Sequence, residues 1–212
     1  MANLQDILID ANSYLDLSAE LPTGDELTTR VNYANQAIKD AAATGKLREF
    51  SSVYYVAPSL ATVPLPSNFR EFEQSPVQLT SDGLYDEFPV LNPGDIFSKD
   101  VSDKYCYVLG NPAIGYFAIF NNLTAGATLT VNYQRYPSLM ATYSDMCELS
   151  DAQFVVSKIE SYVLQARSDD RFPIVEADAQ RRLQNMMGRN DVPVTNETLK
   201  RTIAGYNAGY GN

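Results

Sequence analysis

Apolar residues change their spacing twice along this chain, and the two changes divide it into three stretches. Leu4, Ile7, Leu8, Ala11 and Leu15 recur at helical intervals, as one face of an amphipathic helix must. Leu21-Pro22 interrupts that pattern. Thr23-Gly-Asp-Glu26 follows as a capping box, in which the threonine oxygen accepts from first-turn amides while the glutamate reaches back. Leu27, Val31, Ala34, Ile38 and Ala41 or Ala42 then make a second helical face, with Gly45 as a natural stop.

From Phe50 the rules are those of strands. "FSSVYYVAP" is β-branched and aromatic and ends at Pro58. "YCYVLG" at 105–110 and "GYFAIF" at 115–120 flank Asn111-Pro112, which predicts a hairpin or near neighbours. In "ATLTVNYQRYP", 127–137, Leu129, Val131 and Tyr133 alternate with Thr128, Thr130 and Asn132. That is a half-buried strand with one wet face.

After Pro137 the helical period returns. Ser150-Asp-Ala-Gln153 is a second capping box, and Val155, Ile159, Tyr162, Val163 and Ala166 form the face behind it. Asp169-Asp170 and Pro173 separate this helix from another, with Val175, Ala179, Leu183 and Met186 on one side and Gly188 as its stop. The last stretch is poor in apolar residues and rich in Gly and Asn, too little to bury for independent order.

The order helix, helix, strands, helix, helix, tail predicts an α+β fold: a four-helix bundle with an inserted antiparallel β-module and an extended C-terminal tail. Residues 1–48 and 138–190 make the bundle, 49–137 the inserted module and 191–212 the tail. Each helix has one apolar face and needs neighbours to cover it.

Charge and candidate chemistry narrow the function. The net charge is -10, and Arg181-Arg182 and Lys200-Arg201 are the only adjacent basic pairs. A protein that grips DNA clusters its cations, so such a surface repels the duplex instead. There is no histidine, which removes the usual general base, nucleophile activator and metal ligand together. Asp10-x-Asn12 opens like a calcium loop, but Tyr14, Leu15 and Leu21 stand where ligands and glycine belong. Cys106 and Cys147 have no metal spacing and make no disulfide framework. The carboxylate pairs Asp86-Glu87 and Asp169-Asp170 read as solvated surface. The expectation is a non-enzyme with no cofactor and no metal. The N-terminal "MANLQDILID" lacks a signal-peptide pattern, and the apolar runs are too short to span a bilayer. A soluble, cytoplasmic product is therefore expected, on which the sequons at Asn122 and Asn196 carry no glycan.

Two short motifs carry a resemblance. Leu65-Pro66-x-Asn68-Phe69-Arg70 is a strand entry after two proline steps; the prolines fix φ and remove amide donors at a sheet edge. Phe69 and Phe72 are placed to point into the module, and Arg70 to pair with a carboxylate. Asn32-Tyr33-Ala34-x-x-Ala37-Ile38 precedes this step, and "LTVNYQRYPSLM", 129–140, ends the β-stretch before a capped helix. In this order the chain resembles the head-to-tail adaptor proteins of tailed bacteriophages, over most of residues 4–188. The tail from Asp191 on matches no part of that pattern. The resemblance implies a ring of identical copies, matched to a twelve-subunit portal, in the neck of a virion assembled in the host cytoplasm. Its implied partners are the portal protein, a downstream tail or nozzle protein, and passing double-stranded DNA without specific binding. No membrane partner is implied. On this reading Leu65, Pro66, Phe69 and Arg70 position the β-module. Leu199, Ile203, Tyr206 and Tyr210 are the portal-binding anchors of the tail. Two other classes stay open: a tail-associated carbohydrate-binding β-module protein whose tyrosines stack on sugars, and a hydrolase using carboxylates.

Overall fold

The computed structural model describes residues 2–15 and 19–188. Within them the chain runs through helices α1 (Leu4–Tyr14) and α2 (Gly24–Thr44), strands β1 (Ser51–Val56), β2 (Thr62–Pro64), β3 (Phe69–Phe72), β4 (Val77–Leu79), β5 (Tyr85–Glu87), β6 (Tyr105–Asn111), β7 (Gly115–Asn121) and β8 (Leu129–Arg135), and helices α3 (Ala152–Ala166) and α4 (Phe172–Gly188). Short 3-10 turns cover Arg48–Phe50 and Pro93–Ser98.

The class is α+β, but the expected four-helix bundle with an inserted β-module does not form. Helices lie towards the two ends of the described chain, and the eight strands between them build two separate antiparallel sheets. The helices do not cover one another in a ring. Helix α3 is a hub: α1, α2 and α4 each pack on it, while α1 meets α2 only marginally. The physical cause lies in α3 itself. Phe154, Val156 and Leu164 are buried along with Val155, Ile159 and Val163, so α3 is apolar around most of its girth rather than on one face. The rest of its cover is not helical. Leu47 and Phe50 before β1, and Met140, Cys147 and Leu149 after β8, share the same apolar cluster.

Several local expectations also shift. Thr23 caps α2 with its backbone but makes no side-chain hydrogen bond, so the box with Glu26 is not closed; Glu26 pairs forward with Arg30 instead. The complete capping box sits at α1, between Asn3 and Asp6. For α3 the N-cap is Asp151, whose carboxylate accepts from the Gln153 amide at 3.0 Å. Ala166 is exposed, whereas Ala179, Leu183 and Met186 of α4 are buried.

The larger sheet is organised by β8. It pairs with β1 along one side and with β3 and β4 in succession along the other, and β5 continues from β4. Leu129, Val131 and Tyr133 face inward, as their alternation predicts. The smaller sheet has the order β2-β7-β6, with β6 and β7 forming the expected hairpin. At its tip the Asn111 side chain accepts from the amides of Ala113 and Ile114, at 2.9 and 3.1 Å. That is an Asx turn. Gly110, at φ 114°, is required where it stands, because a Cβ there would collide with the Gly115 carbonyl. The two sheets share a second apolar cluster around Phe69, Phe88, Phe120 and Tyr133.

Candidate interaction surface

The two quoted motifs meet in space. Leu65 and Pro66 lead from β2 into a turn in which the Phe69 amide donates to the Pro66 carbonyl at 2.9 Å. The Asn68 carbonyl then accepts from the Tyr136 amide at 2.7 Å, and the Tyr133 hydroxyl donates to the Asn68 side chain at 3.1 Å. Phe69 is 1% exposed and packs edge-on to Phe72 and Tyr116 and flat against Tyr133, with centroids 5.1 to 5.7 Å apart. Such ring pairs add to plain burial. "LPSNFR" and "YQRYP" thus form one interlocked junction.

Arg70 is aimed by a bulge. Phe69 faces Arg135 and Glu71 faces Gln134, so Arg70 is an extra residue on β3 with no partner on β8. A bulge turns its side chain out of the ladder. The guanidinium reaches the last turn of α2, donating to the carbonyls of Ala42 and, at 3.4 Å, Gly45. Terminal helix carbonyls lack intrahelical partners and carry the negative end of the helix dipole. Helix α2 has no basic residue in its own last turn, so Arg70 supplies the missing cation from another element. Glu71 holds the same guanidinium at 2.6 Å.

Two further cations cross the boundary. Lys46 donates to the carbonyls of Phe72 and Glu73 at 3.1 and 3.3 Å. Arg135 of β8 grips both oxygens of Glu148 at 3.1 and 3.0 Å, donates to the Glu49 carbonyl at 3.2 Å and lies over the Phe50 ring. The β-region is therefore stitched to the helical region by charge-assisted bonds, which are stronger than neutral ones. Lys46 and Arg135 were not singled out as site residues. Arg135 lay in view in "YQRYP", whereas Lys46 gives no local signal.

Beside Arg70 lies a groove of about 590 Å³ between α2 and the chain leaving β8. Ala42, Ala43, Tyr136, Pro137 and Leu139 line it, with Lys39, Arg70 and Glu71 around them. A second depression of similar volume follows β3 towards Pro89, Val90 and Tyr116. Farther out, the 3-10 turn and loop after Asn92 present Phe97 and Val101, 95% and 89% exposed.

Each of the two carboxylate pairs weighed for catalysis has one member in an ion pair. Asp86 pairs with Lys104, and Asp169 with Arg171. Both cysteines are buried. Burial pushes the Cys106 thiol up to about 12 and raises that of Cys147 as well, which keeps both from acting as thiolates at neutral pH. The densest ionic cluster joins α3 to α4. Lys158 meets Glu176 at 2.9 Å, Ser161 donates to Glu176 at 2.5 Å, and Arg182 bridges Asp178 and Asp151. Glu160 flanks this cluster; burial, then repulsion from Asp178, push its carboxyl up to about 7 against the pull of Arg182. Among the described residues no group of three or more His, Cys, Asp or Glu is placed to hold a metal ion, and no helix is long and apolar enough to cross a membrane.

Leu65, Pro66, Phe69 and Arg70 thus belong to one junction. Leu199, Ile203, Tyr206 and Tyr210 lie outside the described residues. Comparison with protein-family models and with curated proteins found no match for the chain.

Proposed function

We propose that this chain is a structural virion protein, a head-to-tail adaptor that forms a ring under a portal, joins capsid to tail and continues the DNA channel. The observation that carries the reading is the interlock of "LPSNFR" with "YQRYP". The segments on which the resemblance rests are direct neighbours, locked by Asn68, Phe69 and Tyr133 and stitched to the helices by Arg70 and Arg135. A ring subunit transmits load between its neighbours, and a cross-braced joint suits that work. Phe97 and Val101 support it further, because large apolar side chains projecting from a monomer mark surfaces that a partner covers. The net charge of -10 favours a conduit over a DNA grip.

The tail anchors Leu199, Ile203, Tyr206 and Tyr210 reach the portal in this proposal, and the β-region meets the neighbouring copy or the next tail component. Carbohydrate stacking draws less support. Exposed Tyr55 and Tyr85 stand on β1 and β5, the opposite edges of one sheet, rather than side by side.

Electron micrographs of the purified chain mixed with its portal test the reading. Rings with the symmetry of the portal are expected, and a chain that stays monomeric beside an intact portal refutes it. A gel-shift titration at low salt tests the channel: tight duplex binding with a steep salt slope refutes a repelling conduit. Deleting residues 191–212 leaves a folded body with weakened portal attachment; unchanged attachment removes the role of the anchors.

A further inference from the structure

An apolar knob and an apolar groove stand open on the same chain. The knob is the loop after Asn92, where Phe97 and Val101 are 95% and 89% exposed. It is braced from behind. The Asn121 side chain donates to the carbonyls of Val101 and Asp103 at 3.0 and 2.7 Å, and that of Asn122 to the same two at 2.8 and 3.2 Å. Bracing of this kind removes part of the ordering cost of binding. The groove is the one beside Arg70, where Tyr136 and Leu139 are 41% and 47% exposed over a floor of Ala42 and Ala43. Its volume of about 590 Å³ is ample for an aromatic ring, since a cavity of about 150 Å³ holds benzene.

Knob and groove lie towards opposite ends of β7. At the groove end the Tyr116 hydroxyl sits 3.4 Å from that of Tyr136, and at the other end Asn121 holds the knob. Five steps of strand separate Tyr116 from Asn121, roughly 17 Å. The exposure of Phe97 shows that it does not sit in the groove of its own subunit. The charges point to a second copy as the occupant. On the knob Asp95, Asp100 and Asp103 outnumber Lys99. At the groove Lys39 and Arg70 outnumber Glu71, which Arg70 already holds. Lys39 stands exposed there, with no carboxylate partner among the described residues. Asp100 is exposed as well and lies between Phe97 and Val101 in the sequence. On a chain of net charge -10, a cationic groove and an acidic knob are complementary patches that bring two copies together in one register.

We propose that Phe97 and Val101 of one copy seat in the groove beside Arg70 of the next copy, over Tyr136 and Leu139, with Asp100 against Lys39. An aromatic anchor in a pocket with a charged pair at its rim is the arrangement that concentrates binding energy in a few residues. Knob and groove are different patches, so the contact is heterologous: repeated head to tail, it closes a ring or runs on as a filament. The closed ring rests on the adaptor reading, whereas the contact itself is tested on the full chain without any portal.

Sedimentation of the full chain, in a concentration series up to roughly 1 mM, should show reversible self-association. Lys39→Glu and Asp100→Lys should each weaken it by on the order of tenfold, with the unfolding temperature unchanged. The chain that carries both changes should regain it, because the pair is then reversed rather than lost. A chain that stays monomeric throughout, or a double change no better than the worse single one, overturns the proposal. A second measurement reads the topology. Cys106 and Cys147 are buried, so oxidation reports on introduced thiols. A Val101→Cys chain mixed with a Leu139→Cys chain should form the mixed disulfide about tenfold faster than an Ile114→Cys chain, altered at the exposed hairpin tip, mixed with the same Leu139→Cys chain. Equal rates overturn the proposal, as do disulfides between two Leu139→Cys chains that outpace the mixed pair. Rings on the portal that form without the mixed disulfide overturn this contact and leave the adaptor reading standing. The mixed disulfide in a chain that forms no ring on the portal does the reverse.

Discussion

Replacing Arg70 by methionine tests the junction. Methionine keeps most of the aliphatic stem but removes every donor. Two carbonyls at the end of α2 lose their partner, those of Ala42 and Gly45. The Arg70 side chain is 17% exposed, so water replaces it only in part. A buried acceptor left unpaired costs about 1–3 kcal/mol. The Gly45 bond is long, so Ala42 carries most of that loss. The Glu71 pair adds little, because Glu71 is 47% exposed and such pairs contribute about 0–1 kcal/mol. The expected total is about 2–3 kcal/mol. For a domain of this size each kcal/mol lowers the midpoint by about 2–4 °C, giving a fall of about 4–12 °C. Thermal unfolding followed by circular dichroism reads it, and a double-mutant cycle with Glu71→Gln separates the ion pair from the carbonyl bonds. Arg70→Lys should fall in between, since an ammonium does not span two carbonyls as the guanidinium fork does. A loss below about 0.5 kcal/mol for Arg70→Met, the range of ordinary surface changes, refutes the helix-capping role.

Other changes reach other parts of the molecule. Ile159→Asp places an unpaired charge on the hub helix at a fully buried site and should abolish cooperative unfolding; a native melting curve sinks the hub account of α3. Lys158→Met leaves Glu176 without its ammonium at 2.9 Å and should cost about 2 kcal/mol in urea titrations, below the fully buried range because Glu176 is partly exposed. Glu160 has its folded pKa raised from 4.5 to about 7. The folded state thus holds this proton more tightly, and Glu160 lowers stability as pH rises from about 4.5 through 7. Glu160→Gln should therefore raise the unfolding temperature at pH 8 and do little at pH 4; equal effects at both refute the shift. Phe97→Ser should leave monomer stability within about 0.5 kcal/mol while weakening ring assembly, as measured by sedimentation.

How much of this was legible before the structure depends on where each signal is stored. The helices announce themselves because periods such as Leu4, Ile7, Leu8, Ala11 survive in any amphipathic setting. The long strands β1, β6, β7 and β8 do so through β-branched and aromatic runs. Strands β2 to β5 are three or four residues each, too short for alternation to separate from loop. The hub character of α3 was hidden by Ser157, Lys158 and Ser161: they read as a wet face, yet all three are buried against α4 and bonded to its carboxylates. Leu65, Pro66, Phe69 and Arg70 stood out through the proline steps together with the resemblance that the surrounding motifs carry. What Arg70 touches did not, since its helix-end partners lie 25 and 28 residues away and the bulge that aims it leaves no residue signature.

The position of β8 has a consequence for how the chain is made. It is the strand that β1, β3 and β4 all require, yet it is synthesised after all three. The helix on which α1, α2 and α4 pack emerges later still. During synthesis roughly the first 130 residues have neither the centre of the larger sheet nor the centre of the helical layer. Pairing Ser51 with Gln134 closes a loop over distant parts of the chain, and loop closure of that kind slows folding. Nascent chains therefore carry open strand edges and apolar helix faces until α3 arrives, and are exposed to aggregation for that interval. Ribosome-stalled chains ending before residue 152 should be protease-sensitive, and those with α3 clear of the exit tunnel protected.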